Sequence, residues 1–221
     1  MSSPWPNFSD LSAALTIPTG LTLDWLGDGD VGPLVVNLRK WYPDIVVGSE
    51  SCHLTESFYR DECALGPIPP SARSVLPLVL RRDGGSIVWF ITLEKEERGK
   101  TMSARMGAID PQERGAGLAM LGPQVLEACA RLTQCGLAYY FATLKIPHQQ
   151  VCAEKSGFTL VGIMPAFDID MVRPGESRRV YEALYAKVLV GPEQIEIPSG
   201  KALTPTTKAL FETLFGPLPV A

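Results

Sequence analysis

The stretch "RMGAIDPQERGAGLAML", residues 105–121, decides the fold, because it joins an extended run to a helical run through two closely spaced glycines. The first turn of a helix leaves N–H groups without partners and carries the positive end of the helix dipole. Gly115 and Gly117 have no side chains and Ala116 has only a methyl group, so an anion can approach this backbone closely. Arg114 adds a mobile cation at the rim. The stretch therefore predicts a diphosphate site, with an ordinary strand-to-helix turn as the alternative.

The spacing around these glycines excludes two common phosphate-binding patterns. The G-x-x-x-x-G-K-[ST] spacing of a P-loop is absent. The dinucleotide fingerprint would need a third glycine inside a βαβ unit. Instead, "RDGG" (82–85) and "EERGK" (96–100) separate apolar runs and predict hairpin turns. Three antiparallel strands are therefore expected before the glycine turn, at 74–81, 85–94 and 101–109.

The remaining chain alternates between helical and extended patterns. An N-terminal arm (1–20), a main domain (21–190) and a C-terminal extension with an amphipathic helix (191–221) are expected. In order, the further expected elements are a strand at 21–26, helices at 31–42 and 51–64, a helix at 116–134 with a kink or 3₁₀ start at Pro123, a strand at 137–144, a helix at 147–157, a strand at 158–164, a loop at 165–177, an ambiguous run at 178–190 and a helix at 204–215.

Composition limits the classes of partner. Hydrophobic residues make up 46% and charged residues 20% of the 221 residues, which suits a chain with a packed core. The net charge is −4 and no Lys/Arg block stands out, which argues against nucleic acid or a membrane surface as the partner. No secretion leader or membrane-spanning run is found, so a cytoplasmic protein is expected. Two histidines and five cysteines without C-x-x-C predict free thiols and no metal.

At Gln112, Gly115 and Gly117 the sequence reads Q-x-x-G-x-G, and "EKSGF" (154–158) follows later. With the order of elements, these motifs make residues 20–190 resemble the GNAT superfamily of acyl-CoA-dependent N-acetyltransferases. The resemblance implies an α/β (α+β) fold, with a central, mixed, mostly antiparallel, twisted sheet of six to seven strands flanked by helices. It also implies acetyl-CoA as co-substrate.

By the same resemblance, the coenzyme lies between two splayed strands. The backbone at Gly107, Ala108 and Ile109 would hold the acetyl carbonyl and the pantetheine arm. The amides of the glycine turn would hold the pyrophosphate; they belong to Gln112, Glu113, Arg114, Gly115, Ala116, Gly117 and Leu118. An amine would attack the thioester directly, so the protein would position the two substrates and move protons.

The sequence departs from the family at the catalytic positions. Ala153 stands where many relatives have a tyrosine acid, and Ser103 lies near the place of a carboxylate base. Substitutes are named from position alone, each with an ordinary structural role as the alternative. They are Tyr140 and its neighbour Tyr139, His148, Asp168 with Asp170, and Tyr181 and Tyr185. The expected acceptor pocket is lined by Trp41, Tyr42, His53 and Tyr59.

Two functions follow from the resemblance. The first is transfer of an acetyl group from acetyl-CoA to a primary amine of a small molecule or peptide. The alternative is an acyl-CoA-binding sensor or interaction module with little turnover, which the missing tyrosine favours. The C-terminal helix would pack on its own domain or on a second copy in a homodimer.

Overall fold

The computed structural model describes residues 4–66, 72–83 and 85–218. Seven strands form one sheet in the order β1-β2-β3-β4-β5-β7-β6. All neighbouring strands are antiparallel except β4 and β5, which confirms the predicted mixed sheet. The strands are β1 Leu21–Trp25, β2 Val75–Arg82, β3 Ile87–Glu96, β4 Thr101–Ile109, β5 Leu137–Thr143, β6 Thr159–Arg173 and β7 Glu176–Val188.

Five of the six helices in the described residues overlap predicted ones, whereas the first helix lies in the expected N-terminal arm. The helices are α1 Phe8–Ala13, α2 Val31–Trp41, α3 Glu56–Glu62, α4 Leu121–Leu132, α5 His148–Lys155 and α6 Pro205–Phe215. The helix expected at 116–134 begins later, because a 3₁₀ turn at Leu118–Met120 precedes it. Pro123 then falls in the first turn of α4, where its missing N–H removes no helical hydrogen bond.

The helices cover the sheet on two faces. The cluster that contains α4 includes Met102 of β4, whereas the cluster that contains α2 and α3 includes Met106 of the same strand. The side chains of β4 change faces because the β3–β4 register shifts at Arg105, which is an extra residue opposite β3. This β-bulge reorients β4 just before Gly107.

The predicted loop at 165–177 is mostly strand. β6 continues through it to Arg173 and pairs with β7, which settles the ambiguous run as a strand. A register shift between Met164 and Asp168 accommodates the proline in the segment, and Ala166 has a φ of 54°. Asp168 and Asp170 therefore lie on a strand, because the long pairing with β7 overrides their weak strand preference.

The two ends of the chain differ in how they pack. The expected N-terminal arm packs on the domain: Leu11 of α1 is fully buried, and the Trp5 indole N–H donates to the Arg73 carbonyl at 3.0 Å. None of the α6 residues is buried, and Thr204 caps this helix as predicted by accepting from Thr207 N–H at 3.2 Å. None of the helices in the described ranges has the length and apolar composition needed to cross a membrane.

Candidate active site

A gap opens between β4 and β5. Their parallel pairing runs from Thr101–Leu137 to Ala104–Tyr140 and ends there. β4 continues to Ile109 and β5 to Thr143 without pairing with each other. Backbone groups on the β5 side of this part of β4 are therefore left for another partner.

The alternation of an antiparallel ladder identifies those groups. Asp110 N–H donates to the Val88 carbonyl of β3 at 2.9 Å, so the backbone of Ala108, two residues earlier, also faces β3. Gly107 and Ile109 then face the gap. Of the three residues expected to hold the thioester end, only Gly107 and Ile109 therefore present backbone groups to the gap. The methyl group of the third, Ala108, is buried in the core beneath α2 and α3.

A buried polar chain lies under the bulge. His53 is fully buried, with Nε2 2.8 Å from Thr92 Oγ1 and Nδ1 3.0 Å from the Glu50 carbonyl oxygen. The Glu50 carboxylate is 3.1 Å from the same Nδ1. Thr92 Oγ1 in turn accepts from Met106 N–H at 3.3 Å. The chain of contacts fixes the β4 backbone immediately before Gly107.

Arg105, the bulge residue, sits among acidic and polarisable groups. Its guanidinium lies 3.9 Å from the Glu50 carboxylate, 3.7 Å from that of Glu94 and 3.7 Å from Cys52 Sγ. Burial tends to raise the pKa of Glu50, but His53 and Arg105 outweigh it and hold that pKa below its usual value. Glu50, Cys52 and His53 each have a side-chain atom of the kind that binds metal ions, and these three atoms lie within 4.8 Å of one another. The Arg105 guanidinium places a positive charge beside them.

The acceptor pocket is not lined as expected. Trp41, His53 and Tyr59 are all less than 9% exposed and fill the core between the first helices and the sheet. The Tyr59 hydroxyl donates to the His53 carbonyl at 3.0 Å. The prediction that they line a pocket is therefore wrong for these three residues, because they lie on inner faces that the sheet covers. Tyr42, the fourth residue of the predicted set, is half-buried.

The glycine turn is open on its outer side. Gly115 and Gly117 have φ values of 91° and 81°, and a Cβ added at either would meet nothing within 4 Å. A larger residue at either position would therefore be strained, and its side chain would project into the open side of the turn.

The turn leaves four amides free. Gln112 N–H donates to the Asp110 carboxylate at 2.9 Å, Glu113 N–H to the Asp110 carbonyl at 2.9 Å, and Ala116 N–H to the Glu113 carbonyl at 3.3 Å. Within the described part of the chain, the other amides of the predicted set have no acceptor; they belong to Arg114, Gly115, Gly117 and Leu118. An anion at this turn would satisfy them.

The charged side chains of the turn are held in place. Arg82 pairs with the Glu113 carboxylate at 2.6 Å, which offsets the negative charge that Glu113 would present to an anion. Arg114 donates to the Trp41 carbonyl at 3.1 Å and lies over the Tyr42 ring at 5.0 Å. Arg114 is thus anchored to the end of α2 and is less mobile than expected.

Two of the proposed catalytic residues, Tyr140 and His148, lie beside or on α5. The Tyr140 hydroxyl donates to the Gln149 carbonyl at 3.3 Å, and burial raises the Tyr140 pKa. His148 is the first residue of α5 and is exposed. Tyr140 of β5 therefore contacts α5, and His148 belongs to α5. Tyr140 is also part of the hydrophobic cluster that contains α4.

Asp168 lies on the face of the sheet opposite to that of Tyr140, and its carboxylate connects two elements. Its carboxylate accepts from Ser49 N–H at 2.9 Å and from the Ser49 hydroxyl at 3.2 Å. Gly48 permits this close approach, because a Cβ there would lie 2.2 Å from the Ile169 carbonyl oxygen. The structure therefore does not bring Asp168 together with Tyr140, and Asp168 ties the 3₁₀ turn Ser49–Leu54 to β6.

Glu182 is a functional candidate that the sequence pattern does not reveal. It lies on β7 opposite Thr143 of β5, on the face that carries Phe141. The rings of Phe141 and Phe167 stack with centroids 4.0 Å apart. Burial, and then the charges of Asp168 and two other carboxylates, raise the pKa of Glu182 to about 7. In the sequence, Glu182 is one carboxylate in an alternating run, and only the folded chain brings these neighbours to it.

A cavity of about 260 Å³ opens on the same sheet face. It is lined by Glu94, Lys95, Glu96, Thr101, Ser103 and Tyr139. Tyr139 alternates with Tyr140 along β5 and so shares the face of Phe141 and Glu182. The cavity lies beside the paired part of β4 and β5, before the gap opens.

Comparison with known proteins identifies the fold. No protein-family profile and no curated protein sequence matches the chain. Among solved structures, spermidine N-acetyltransferase from Vibrio cholerae with CoA and spermine has a TM-score of 0.58 at 16% identity, over 77% of this chain and 96% of that one. A putative phosphinothricin N-acetyltransferase has a TM-score of 0.56 at 17% identity, over 77% and 99%. RimL, a ribosomal L7/L12 α-N-protein acetyltransferase, has a TM-score of 0.54 at 13% identity, over 78% and 96%. The chain has the fold of the GNAT N-acetyltransferases.

Proposed function

We propose that the protein transfers an acetyl group from acetyl-CoA to a primary amine. The observation that carries this proposal is the early end of β4–β5 pairing at Ala104–Tyr140, beside a glycine turn with free amides. The gap supplies unpaired strand backbone, and the turn supplies donors for an anion. A linear ligand with a diphosphate fits both features at once.

The thioester end of acetyl-CoA would lie along β4. The gap-facing backbone of Gly107 and Ile109 would bind the pantetheine amides and the acetyl carbonyl as a neighbouring strand would. The free amides from Arg114 to Leu118 would bind the pyrophosphate, with Arg82 and Arg114 nearby as cations. The polar chain from His53 through Thr92 to Met106 would hold the strand in position for this contact.

The acceptor side favours a cationic amine. Its carboxylates attract an ammonium group, and the Phe141–Phe167 stack and Tyr139 offer ring faces and apolar contact. The carboxylates are Glu50, Glu94, Asp168, Asp170 and Glu182. The solved spermidine N-acetyltransferase, which binds spermine, supports an amine acceptor of this kind.

Direct attack of the amine nitrogen on the thioester carbon would form the amide and release the CoA thiolate. Tyr140 and His148 remain the proposed proton donors to that thiolate, because they lie on or beside α5. Asp168 is better suited to shaping the acceptor side, since both of its oxygens are engaged by Ser49.

The test is thiol release from acetyl-CoA with a panel of primary amines, run beside calorimetric binding of CoA. The panel contains n-butylamine, spermidine and a peptide with a free N-terminus. Binding together with amine-dependent thiol release supports the proposal. Binding without release from any amine favours the alternative, an acyl-CoA sensor.

A further inference from the structure

We propose that Glu182 is the general base that takes the proton from the acceptor's ammonium group, and this inference rests on the proposed function. The resemblance to the GNAT family places a carboxylate base near Ser103 of β4, and Ser103 is not a carboxylate. The residue that replaces it comes from β7, on the other side of β5.

The strand register places Glu182 at the right level. The last β4–β5 pair is Ala104–Tyr140, and Arg105 is the extra residue of the bulge. Three levels beyond that pair, Thr143 of β5 therefore comes level with Ala108 of β4. Glu182 is the residue opposite Thr143. It is therefore level with Ala108, which lies between the two gap-facing residues Gly107 and Ile109.

Glu182 differs from the carboxylates around it in having no partner. Glu50 faces His53 and Arg105, and Asp168 accepts from Ser49. Asp170 of β6 pairs with Lys145 of the β5–α5 connection. Glu182 makes no side-chain hydrogen bond or ion pair with any residue in the described ranges.

This lack of a partner leaves the carboxylate available. The charged groups that act on it are Glu50 from the Ser49–Leu54 turn and Asp168 and Asp170 from β6. The nearby cations already have partners, since Arg105 pairs with Glu50 and Lys145 pairs with Asp170. An incoming ammonium group would be the cation that Glu182 lacks, and its proton could pass to Glu182 directly or through one water. The shifted pKa of about 7 suits proton transfer near neutral pH.

The proton and electron balance is simple. The ammonium gives one proton to the Glu182 carboxylate and becomes a neutral amine. The amine lone pair forms the C–N bond, the C–S bond breaks, and the sulfur leaves with its electron pair. The CoA thiolate takes up one proton as the new amide nitrogen loses one, and Glu182 later releases its proton to water.

Kinetics of Glu182→Gln against pH test the assignment, with the amine that the wild-type protein uses best. We expect kcat/KM at pH 7 to fall about 100-fold or more, within the usual contribution of a general base. The acidic limb of the wild-type profile should disappear, while calorimetric CoA affinity stays unchanged. Glu176→Gln is the matched control, because Glu176 lies on the same strand but is paired with Arg178 at its far end.

Each outcome separates this inference from the proposed function. Turnover by Glu182→Gln equal to wild type, with the acidic limb intact, overturns the role of Glu182 and leaves acetyl transfer standing. A wild-type protein that binds CoA but turns over none of the amines overturns both. If Glu182→Gln does not fold, Glu182→Asp replaces it: partial activity with a retained acidic limb supports the base, and full activity contradicts it.

Discussion

Ala104 of β4 pairs with Tyr140 of β5, and beyond this pair the two parallel strands separate. Two features of the sequence favour the separation at this point. Arg105 is the extra residue of a β-bulge against β3, and bulges bend and twist the strand that carries them. Gly107 follows, and a glycine inside a strand weakens the strand. The gap is therefore built into β4 before any ligand binds.

Hydrogen exchange should reveal which amides line this gap. We expect the amides of Gly107 and Ile109 to exchange fast in the free protein and to become protected when CoA is added, because the ligand supplies acceptors. Asp110 is the internal control, since its amide is already bonded to Val88 and should be protected in both states. Protection of Gly107 and Ile109 without CoA would contradict the open gap.

Thr92→Val tests the polar chain under the bulge. The variant keeps the shape of the side chain but leaves His53 Nε2 and Met106 N–H without their partner, so a loss of about 1–3 kcal/mol of stability is expected. CoA affinity should also weaken, because Met106 adjoins Gly107. Thr133→Val is the control, as Thr133 is equally buried and bonds to Cys129 at the end of α4. It should lose stability without losing CoA affinity; an equal effect of both variants on CoA binding would refute the role of the chain.

The stability difference between Glu182→Gln and the wild-type protein should depend on pH. Folding raises the Glu182 pKa from an ordinary 4.5 to about 7, so the folded chain prefers the protonated form. The wild-type protein therefore loses stability as pH rises from 4.5 through 7, whereas the neutral glutamine does not. At pH 8 we expect the variant to melt at a higher temperature than the wild type, by about 2–4 °C for each kcal/mol gained in unfolding free energy. At pH 4 the two proteins should melt at the same temperature. A melting difference that is the same at both pH values would show that Glu182 is not perturbed.

Removal of residues 192–221 should leave the melting temperature of the domain unchanged. None of the described residues of this segment is buried, although Leu210 and Phe215 of α6 are large and apolar. The segment therefore adds little hydrophobic stabilisation to its own domain. A fall of several degrees in scanning calorimetry would show that α6 packs on the domain more closely than the structure indicates.

The glycine turn and the element order could be predicted because both are local. Positive-φ glycines, hairpin signals and helical periodicity are properties of short stretches, and they are enough to place the five strands β1 to β5 correctly. The strand predicted for β6 is too short, because Pro165, Asp168 and Asp170 disfavour strands locally and only pairing with β7 extends it.

The acceptor side could not be predicted, because it depends on contacts between distant parts of the chain. His53 and Tyr59 are expected in a pocket, but they are buried in the core between the first helices and the sheet. Glu182 escapes prediction because its environment comes from Glu50 and Asp168, which lie far from it in sequence. Local patterns show which face of an element is apolar, but they do not show which charges meet across a sheet.

Calorimetric titration of acetyl-CoA into wild-type protein, Gly117→Glu and Gly175→Glu tests the central claim most directly. Both glycines have positive φ and open space where a Cβ would lie, so both variants carry the same added charge and similar backbone strain. Only Gly117 lies in the proposed pyrophosphate site. We expect Gly117→Glu to weaken binding at least tenfold, a loss of about 1.4 kcal/mol or more, and Gly175→Glu to bind as wild type does. Wild-type affinity in Gly117→Glu would contradict the account.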